Sequence, residues 1–180
     1  ENGETIMKPI LEMTKFELTA YIQSALEEQK IHVVLSGGAA VSFYSDNAYV
    51  SYDLDLVNLF SVERKRIKQV MESLGFVEEG RYFTYTGTDF FIEFPPGPLT
   101  VGVEPVKNVD EVRFVTGTMR IISATDSVKD RLAAFYHWGD EQCLKQARLI
   151  KERNKVDLDE IERWSKGEGK QREFLRFISD

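Results

Sequence analysis

The 180-residue sequence is poor in cysteine and histidine and has no long apolar run. Cys143 is the single cysteine, so no disulfide can form within the chain, which fits a reducing compartment. No apolar stretch approaches the roughly 20 residues that a membrane-spanning helix needs. The first residues are polar and no apolar run follows them, so we expect no signal peptide and a cytoplasmic protein.

Positive charge is also scarce, with 23 lysines and arginines against 30 aspartates and glutamates and a net charge of −7. The acidic excess lies mainly in residues 1–60, which contain nine acidic and three basic side chains. Affinity for nucleic acids comes mostly from phosphate neutralisation, so an acidic chain is a poor default binder of DNA or RNA. The two histidines, His32 and His137, give little support for a zinc site or a histidine-based triad.

The residues that are present indicate a folded α+β protein. Hydrophobic residues make up 42% of the chain and aromatic residues 12%, which is typical of a globular domain. Strand-like and helical segments alternate in residues 10–123, whereas residues 124–180 read as helix throughout. We therefore expect a mixed β-sheet core flanked by helices over residues 10–123, followed by a C-terminal helical subdomain over residues 124–180.

Local signals place the elements. Thr14 to Glu17 is a capping box that predicts a helix up to about Glu28. Ser61 is the predicted cap of a second helix over 62–74. The other predicted helices cover a segment from Thr125 or Asp126 to Trp138, a segment from Asp140 to Arg153, one opened by Asp157, and 168–178. Predicted strands cover 31–35, 53–58, 76–78, 82–86, 90–94, 111–115 and 118–123, and the last four form two hairpins.

A glycine turn follows the first predicted strand. The apolar run 31–35 ends in Ser36, Gly37 and Gly38, the chemistry of a tight turn into a helix at about 39–45. Helix N-termini present free backbone N–H groups that favour phosphate. The sequence therefore predicts a phosphate-binding turn at this point.

Acidic side chains follow in a pattern suited to metal binding. Asp53 and Asp55 alternate with leucines, so on a strand both carboxylates share one face, about 7 Å apart at the backbone. Glu93 sits within an apolar and aromatic run, where a charge is costly to bury unless it pairs or binds a metal. Carboxylates of this kind suit magnesium and substrate phosphates. The alternative is that the two aspartates merely cap a strand end.

The order of these motifs resembles the nucleotidyltransferase fold of the DNA polymerase beta superfamily: Gly-Gly, a short helix, Ser-x-Asp-x-Asp on a strand, and a later strand acid. Residues 91–99 and 129–140 further resemble a group of small bacterial members that is distantly related to the AbiE-type toxins.

The resemblance implies that Gly37 and Gly38 contact nucleotide phosphates, with Ser36 or Ser51 near them. It also implies that Asp53, Asp55 and Glu93 hold the metal, most simply two Mg²⁺ ions, with Mn²⁺ as the alternative. Asp89 is the alternative third acid. From their position in the first tail helix, Lys129 and Arg131 could reach a triphosphate, although surface ion pairs explain them equally well.

The expected function is the transfer of a nucleoside monophosphate from an NTP to an acceptor hydroxyl on a tRNA end, a protein or a small molecule. The resemblance leaves open a toxin role with an antitoxin protein as partner. The alternative is a non-catalytic module that binds a nucleotide or a protein. We expect Cys143 to be a buried structural thiol, and Tyr136 and Trp138 to be core residues rather than a base-stacking surface.

Overall fold

The computed structural model of the chain describes residues 7–179. The prediction that no signal peptide is present rests on residues 1–6, which lie outside the described residues. Within the described part, no helix is long and apolar enough to cross a membrane.

The described residues form seven α-helices and nine strands, after a short 3-10 helix at Ile10–Glu12. The helices are α1 (Lys15–Glu28), α2 (Gly37–Tyr44), α3 (Arg64–Ser73), α4 (Ala124–Trp138), α5 (Glu141–Arg153), α6 (Leu158–Gly167) and α7 (Gln171–Ile178). The strands are β1 (Val33–Ser36), β2 (Asp53–Asn58), β3 (Val77–Glu79), β4 (Tyr82–Thr84), β5 (Phe91–Glu93), β6 (Thr100–Val101), β7 (Glu104–Pro105), β8 (Val109–Phe114) and β9 (Gly117–Ile122). This is the predicted α+β architecture.

Seven of the strands form one mixed sheet in the order β3-β4-β5-β2-β1-β9-β8. β1 and β2 are antiparallel neighbours, whereas β2 pairs with β5, and β1 with β9, in parallel. Both predicted hairpins, β4–β5 and β8–β9, are present. β6 and β7 form a separate two-stranded hairpin. The parallel pairing brings β5 beside β2 although 32 residues separate the end of one from the start of the other.

Several predicted helix caps are confirmed and two are wrong. Thr14 and Glu17 form the capping box of α1, and the side chain of Asp157 accepts from a backbone N–H in the first turn of α6. Helix α4 begins earlier than predicted, because Ser123 rather than Thr125 or Asp126 is its N-cap. Helix α3 lacks a side-chain cap: its N-cap is Glu63, and the predicted cap Ser61 lies before it.

The buried apolar side chains form two clusters. One lies between the sheet and the helices of residues 13–122, and the other holds together α4 to α7. Helix α2 contributes to both, because Ala39 and Ala40 belong to the first cluster and Val41 to the second. The division into an α+β core and a helical subdomain stays a prediction, and α2 lies where the two predicted parts pack together.

Candidate active site

Three acidic residues lie side by side on neighbouring strands. Asp53 and Asp55 share one face of β2, because side chains two residues apart on a strand point the same way. Asp55 stands directly opposite Glu93 in the parallel β2–β5 pair, and Phe91 stands opposite Asp53. Adjacent strands lie about 5 Å apart, so this register places Glu93 beside Asp55 on the same face of the sheet.

The charges of these acids interact. The pKa of Asp55 is raised to about 6, first by burial and then by the neighbouring carboxylates of Glu93 and Asp53, while Arg131 opposes the shift. A carboxylate that is difficult to ionise because it is buried and close to other carboxylates is a candidate for a functional site.

Glu93 is partly neutralised by a residue that the sequence did not single out. Arg81 Nε lies 3.7 Å from Glu93 Oε1, and the Arg81 guanidinium also lies over the ring of Tyr82 at 4.8 Å. Tyr82 is paired with Glu93 in the β4–β5 hairpin, which explains why Arg81 reaches the acid. In this arrangement, no three His, Cys, Asp or Glu side chains of residues 7–179 are grouped closely enough to hold a metal ion.

The glycine turn lies against the same acids. Ser36 pairs with Asp55 across β1 and β2, and the next residue, Gly37, starts α2 with a left-handed φ of 62°. A Cβ atom on Gly37 would overlap the carboxylate of Asp55. A glycine is required here for both reasons, and the first backbone N–H groups of α2 therefore begin beside the acids.

Serine hydroxyls tie α2 to the start of β2. The Ser42 hydroxyl donates to the carbonyl of Gly38 at 3.2 Å and accepts from the N–H of Ser51 at 2.9 Å. The Ser51 hydroxyl in turn accepts from the N–H of Asp53 at 3.2 Å. Ser51 is thus a residue that positions Asp53, and Ser42, which sequence reasoning missed, positions Ser51.

The two basic residues predicted on α4 point to different places. Arg131 lines a cavity of about 230 Å³ together with Ser36, Gly37, Asp55 and residues of the segment 95–101, and it pairs with the adjacent Asp130. Lys129 is buried away from this cavity, with its Nζ 2.7 Å from Glu160 Oε1 and 3.6 Å from Asp126 Oδ1. The structure therefore brings Arg131, but not Lys129, to the acids.

Other sequence candidates lie elsewhere. Asp89 is exposed in the loop before β5, and His137 pairs with Glu168. Cys143 is buried as predicted, and burial raises the pKa of its thiol to about 11, which makes it a poor nucleophile. Tyr136 is buried as predicted, but Trp138 is not a core residue: it is 85% exposed.

The donor set of the site fits a divalent cation. Asp53, Asp55 and Glu93 offer hard oxygen ligands, and burial together with the two neighbouring carboxylates makes Asp55 harder to ionise. A cation placed among them would relieve this repulsion, once the three side chains lie closer together than they do here.

Comparison with solved structures identifies the fold. The chain matches a solution structure of the antibiotic-resistance factor ANT(2'')-Ia with 16% identity and a TM-score of 0.50, over 87% of this chain and 91% of that one. It also matches a crystal structure of ANT(2'')-Ia in complex with adenylyl-2''-tobramycin, with 16% identity and a TM-score of 0.49, over 87% and 94% of the two chains. No family model and no curated protein matches the sequence.

ANT(2'')-Ia is an aminoglycoside nucleotidyltransferase. At this identity the likeness shows the fold alone, and it confirms the nucleotidyltransferase-like α+β fold that the sequence resemblance implied. The link to a small bacterial group and to AbiE-type toxins stays a prediction, as do the roles of the individual site residues.

Proposed function

We propose that this chain is a magnesium-dependent nucleotidyltransferase that moves a nucleoside monophosphate from an NTP to an acceptor hydroxyl. One observation carries the proposal: Asp53, Asp55 and Glu93 share one face of β2 and β5, with the N-terminus of α2 directly against Asp55. Phosphate-binding N–H groups beside clustered carboxylates are what a metal–triphosphate complex requires.

In this reaction, the acceptor oxygen attacks the α-phosphorus, a new P–O bond forms, the bond to the bridging oxygen breaks, and pyrophosphate leaves. Gly37, Gly38 and Arg131 bind the phosphates and hold the α-phosphorus in line with the acceptor. Glu93 accepts the proton of the attacking hydroxyl. Asp53 and Asp55, with Glu93, would hold the metal, which supplies charge stabilisation for the entering and leaving oxygens when bound. Two Mg²⁺ ions, or Mn²⁺ in their place, suit these ligands.

The acceptor is a hydroxyl of a small molecule, a protein or a tRNA end. The acidic net charge disfavours a long nucleic acid, because phosphate neutralisation supplies most of that affinity. A toxin role with an antitoxin partner and a cytoplasmic location remain proposals from the sequence. A non-catalytic module that binds a nucleotide is the second candidate. One contact favours it: Arg81 pairs with Glu93, and an acid paired in this way is less available as a metal ligand or a proton acceptor.

The test is ligand-induced thermal stabilisation. We expect an NTP with Mg²⁺ at 100 times its Kd to stabilise the protein by about 2.7 kcal/mol. That gain corresponds to a rise in melting temperature of roughly 5 to 10 °C for a chain of this size. Asp53→Asn combined with Asp55→Asn should remove most of this rise while the fold remains intact by circular dichroism.

Two single variants separate the third acid from its alternative. Glu93→Gln should lose most of the Mg²⁺-dependent shift, whereas Asp89→Asn, which changes an exposed acid, should keep it. Transfer of label from an NTP to lysate fractions then separates the enzyme from a binding module. If none of the four NTPs shifts the melting temperature with Mg²⁺ or Mn²⁺, the proposed function is wrong.

A further inference from the structure

Two large apolar side chains are almost fully exposed, one at the end of α4 and the other at the tip of the β6–β7 hairpin. Trp138 is 85% exposed and Val103 is 84% exposed, the highest values among the large apolar side chains of residues 7–179. Exposing an indole forgoes a large hydrophobic gain, because aromatic side chains bury 150–250 Å² each in protein cores. An exposed tryptophan on a rigid helix is therefore a candidate binding residue.

Helix α4 connects Trp138 to the site. Asp130 and Arg131 line the cavity beside Asp55. Trp138 follows Arg131 by seven residues, which is close to two helical turns, so both lie on nearly the same face of α4. Trp138 is about 10 Å further along that face. The face that borders the acids at Arg131 thus ends in an exposed indole.

The β6–β7 hairpin forms the second wall. Thr100 and Val101 line the same cavity, and the tip of the hairpin carries Val103. Glu168 holds the tip beside the end of α4: its Oε1 accepts from the Val103 N–H at 3.2 Å, and its Oε2 lies 3.0 Å from His137 Nε2. The Glu168 side chain is only 6% exposed, so it is packed between the hairpin tip and α4. Both walls therefore run from the phosphate-binding end of the cavity to an exposed apolar residue.

We propose that Trp138, with Val103 beside it, stacks on the base of the nucleotide whose phosphates contact Gly37 and Arg131. This inference rests on the proposed function and names the part of the site that holds the nucleoside. The helical distance from Arg131 to Trp138 matches the span from the phosphates to the base of a nucleotide. Stacking on an aromatic ring is worth about 1–3 kcal/mol per base and discriminates little between bases.

The experiment compares a ligand that has a base with one that lacks it. Isothermal titration with Mg²⁺ measures the Kd of an ATP analogue whose α,β-bridging oxygen is replaced by carbon, and separately the Kd of inorganic tripolyphosphate. We expect Trp138→Ala to weaken the ATP analogue about five-fold or more. Tripolyphosphate binding should be unchanged, and Trp138→Phe should retain most of the affinity for the analogue.

Phe60→Ala is the matched control, because Phe60 is also an exposed aromatic residue, at 71%, but follows the other end of β2 and packs against His32. It should bind both ligands like the wild type. If Trp138→Ala binds the ATP analogue as tightly as the wild type, or loses both ligands equally, base stacking at Trp138 is wrong and the proposed function stands. If the wild type binds neither ligand, both proposals fall together.

Discussion

Asp55 is a partly buried carboxylate that lies against other acids and against the start of a helix. It faces Glu93 across the β2–β5 pair, Ser36 across the β1–β2 pair, and the start of α2 at Gly37. A carboxylate in this position destabilises the metal-free fold when ionised, because its charge is partly desolvated and close to two other acids. Such a cost is expected where function rather than stability has selected the side chain.

The raised pKa of Asp55 leads to a prediction on pH and stability. Since the pKa is about 6 in the folded protein against an ordinary value of 3.8, the folded state binds the proton more tightly than the unfolded chain. The resulting stabilisation is full below about pH 3.8 and is lost as pH rises through about 6. At pH 7 the ionised group costs about 1 to 3 kcal/mol.

Asp55→Asn should therefore raise the melting temperature of the protein in EDTA by several degrees at pH 7. The gain should shrink at pH 5 and vanish near pH 4, where Asp55 itself is protonated. Thermal melts at these three pH values check the expectation. A gain that is equally large at pH 4 would show that the carboxylate charge is not the cause.

Gly37 allows a second test with a closely matched control. Gly37 and Gly80 have φ values of 62° and 63°, but a Cβ on Gly80 would meet nothing within 4 Å. Gly80→Ala should cost about 1 kcal/mol, from the left-handed backbone alone. Gly37→Ala should cost clearly more, because the new methyl group overlaps Asp55, and it should also reduce the NTP-induced shift. Urea denaturation of both variants measures the difference, and equal costs would contradict the close approach to Asp55.

At the scale of elements, α4 carries two basic residues with different environments. Lys129 and Arg131 are two positions apart, which separates their side chains by about 200° around the helix. Lys129 lies inside a network with Asp126 and Glu160, and Arg163 joins Glu160 to Glu104 on the β6–β7 hairpin. This network fixes α4, α6 and the hairpin to one another, while Arg131 remains directed at the cavity.

Methionine substitutions on α4 should separate these roles. Arg131→Met should weaken binding of an Mg²⁺–NTP complex by about ten-fold or more, since a charge-assisted hydrogen bond contributes roughly 1.5–3 kcal/mol. Lys129→Met should leave this affinity unchanged and lower stability by about 1 to 3 kcal/mol, because Asp126 and Glu160 lose a buried counter-ion. Titration calorimetry and urea denaturation of both variants provide the readouts. Weaker nucleotide binding by Lys129→Met would contradict this assignment and show that Lys129 contributes to the site.

The sequence predicted the bounds and caps of individual elements better than the contacts between elements. The bounds of β2 and the caps Thr14 and Asp157 follow from local patterns of polarity and hydrogen bonding, which a sequence displays directly. The contact between Arg81 and Glu93 depends on the register of the β4–β5 hairpin, which no local signal specifies. Helical periodicity likewise gives the angle between the side chains of Lys129 and Arg131, but it does not show which of them lines the cavity beside Asp55.

At the scale of the whole molecule, α2 joins the two apolar clusters. The Tyr44 hydroxyl donates to the carbonyl of Ile122 on β9 at 2.7 Å, and the carbonyl of Tyr44 accepts from the Asn154 side chain at 2.6 Å. Helix α2, which begins at the Ser36–Gly38 turn, is thus held from both sides. Composition placed the boundary at residue 123, but it could not show that Val41 packs with the helices beyond it.

The two tryptophans have opposite surroundings. Trp164 is fully buried and stacked on Tyr136, whereas Trp138 is 85% exposed. The intrinsic emission of the native protein should therefore have a blue-shifted component that acrylamide cannot reach and a red-shifted component that it quenches freely. Selective excitation at the red edge would follow the surroundings of Trp138 at the end of α4, while the blue component reports on the helical core. The chain thus carries its own pair of optical probes, without any added label.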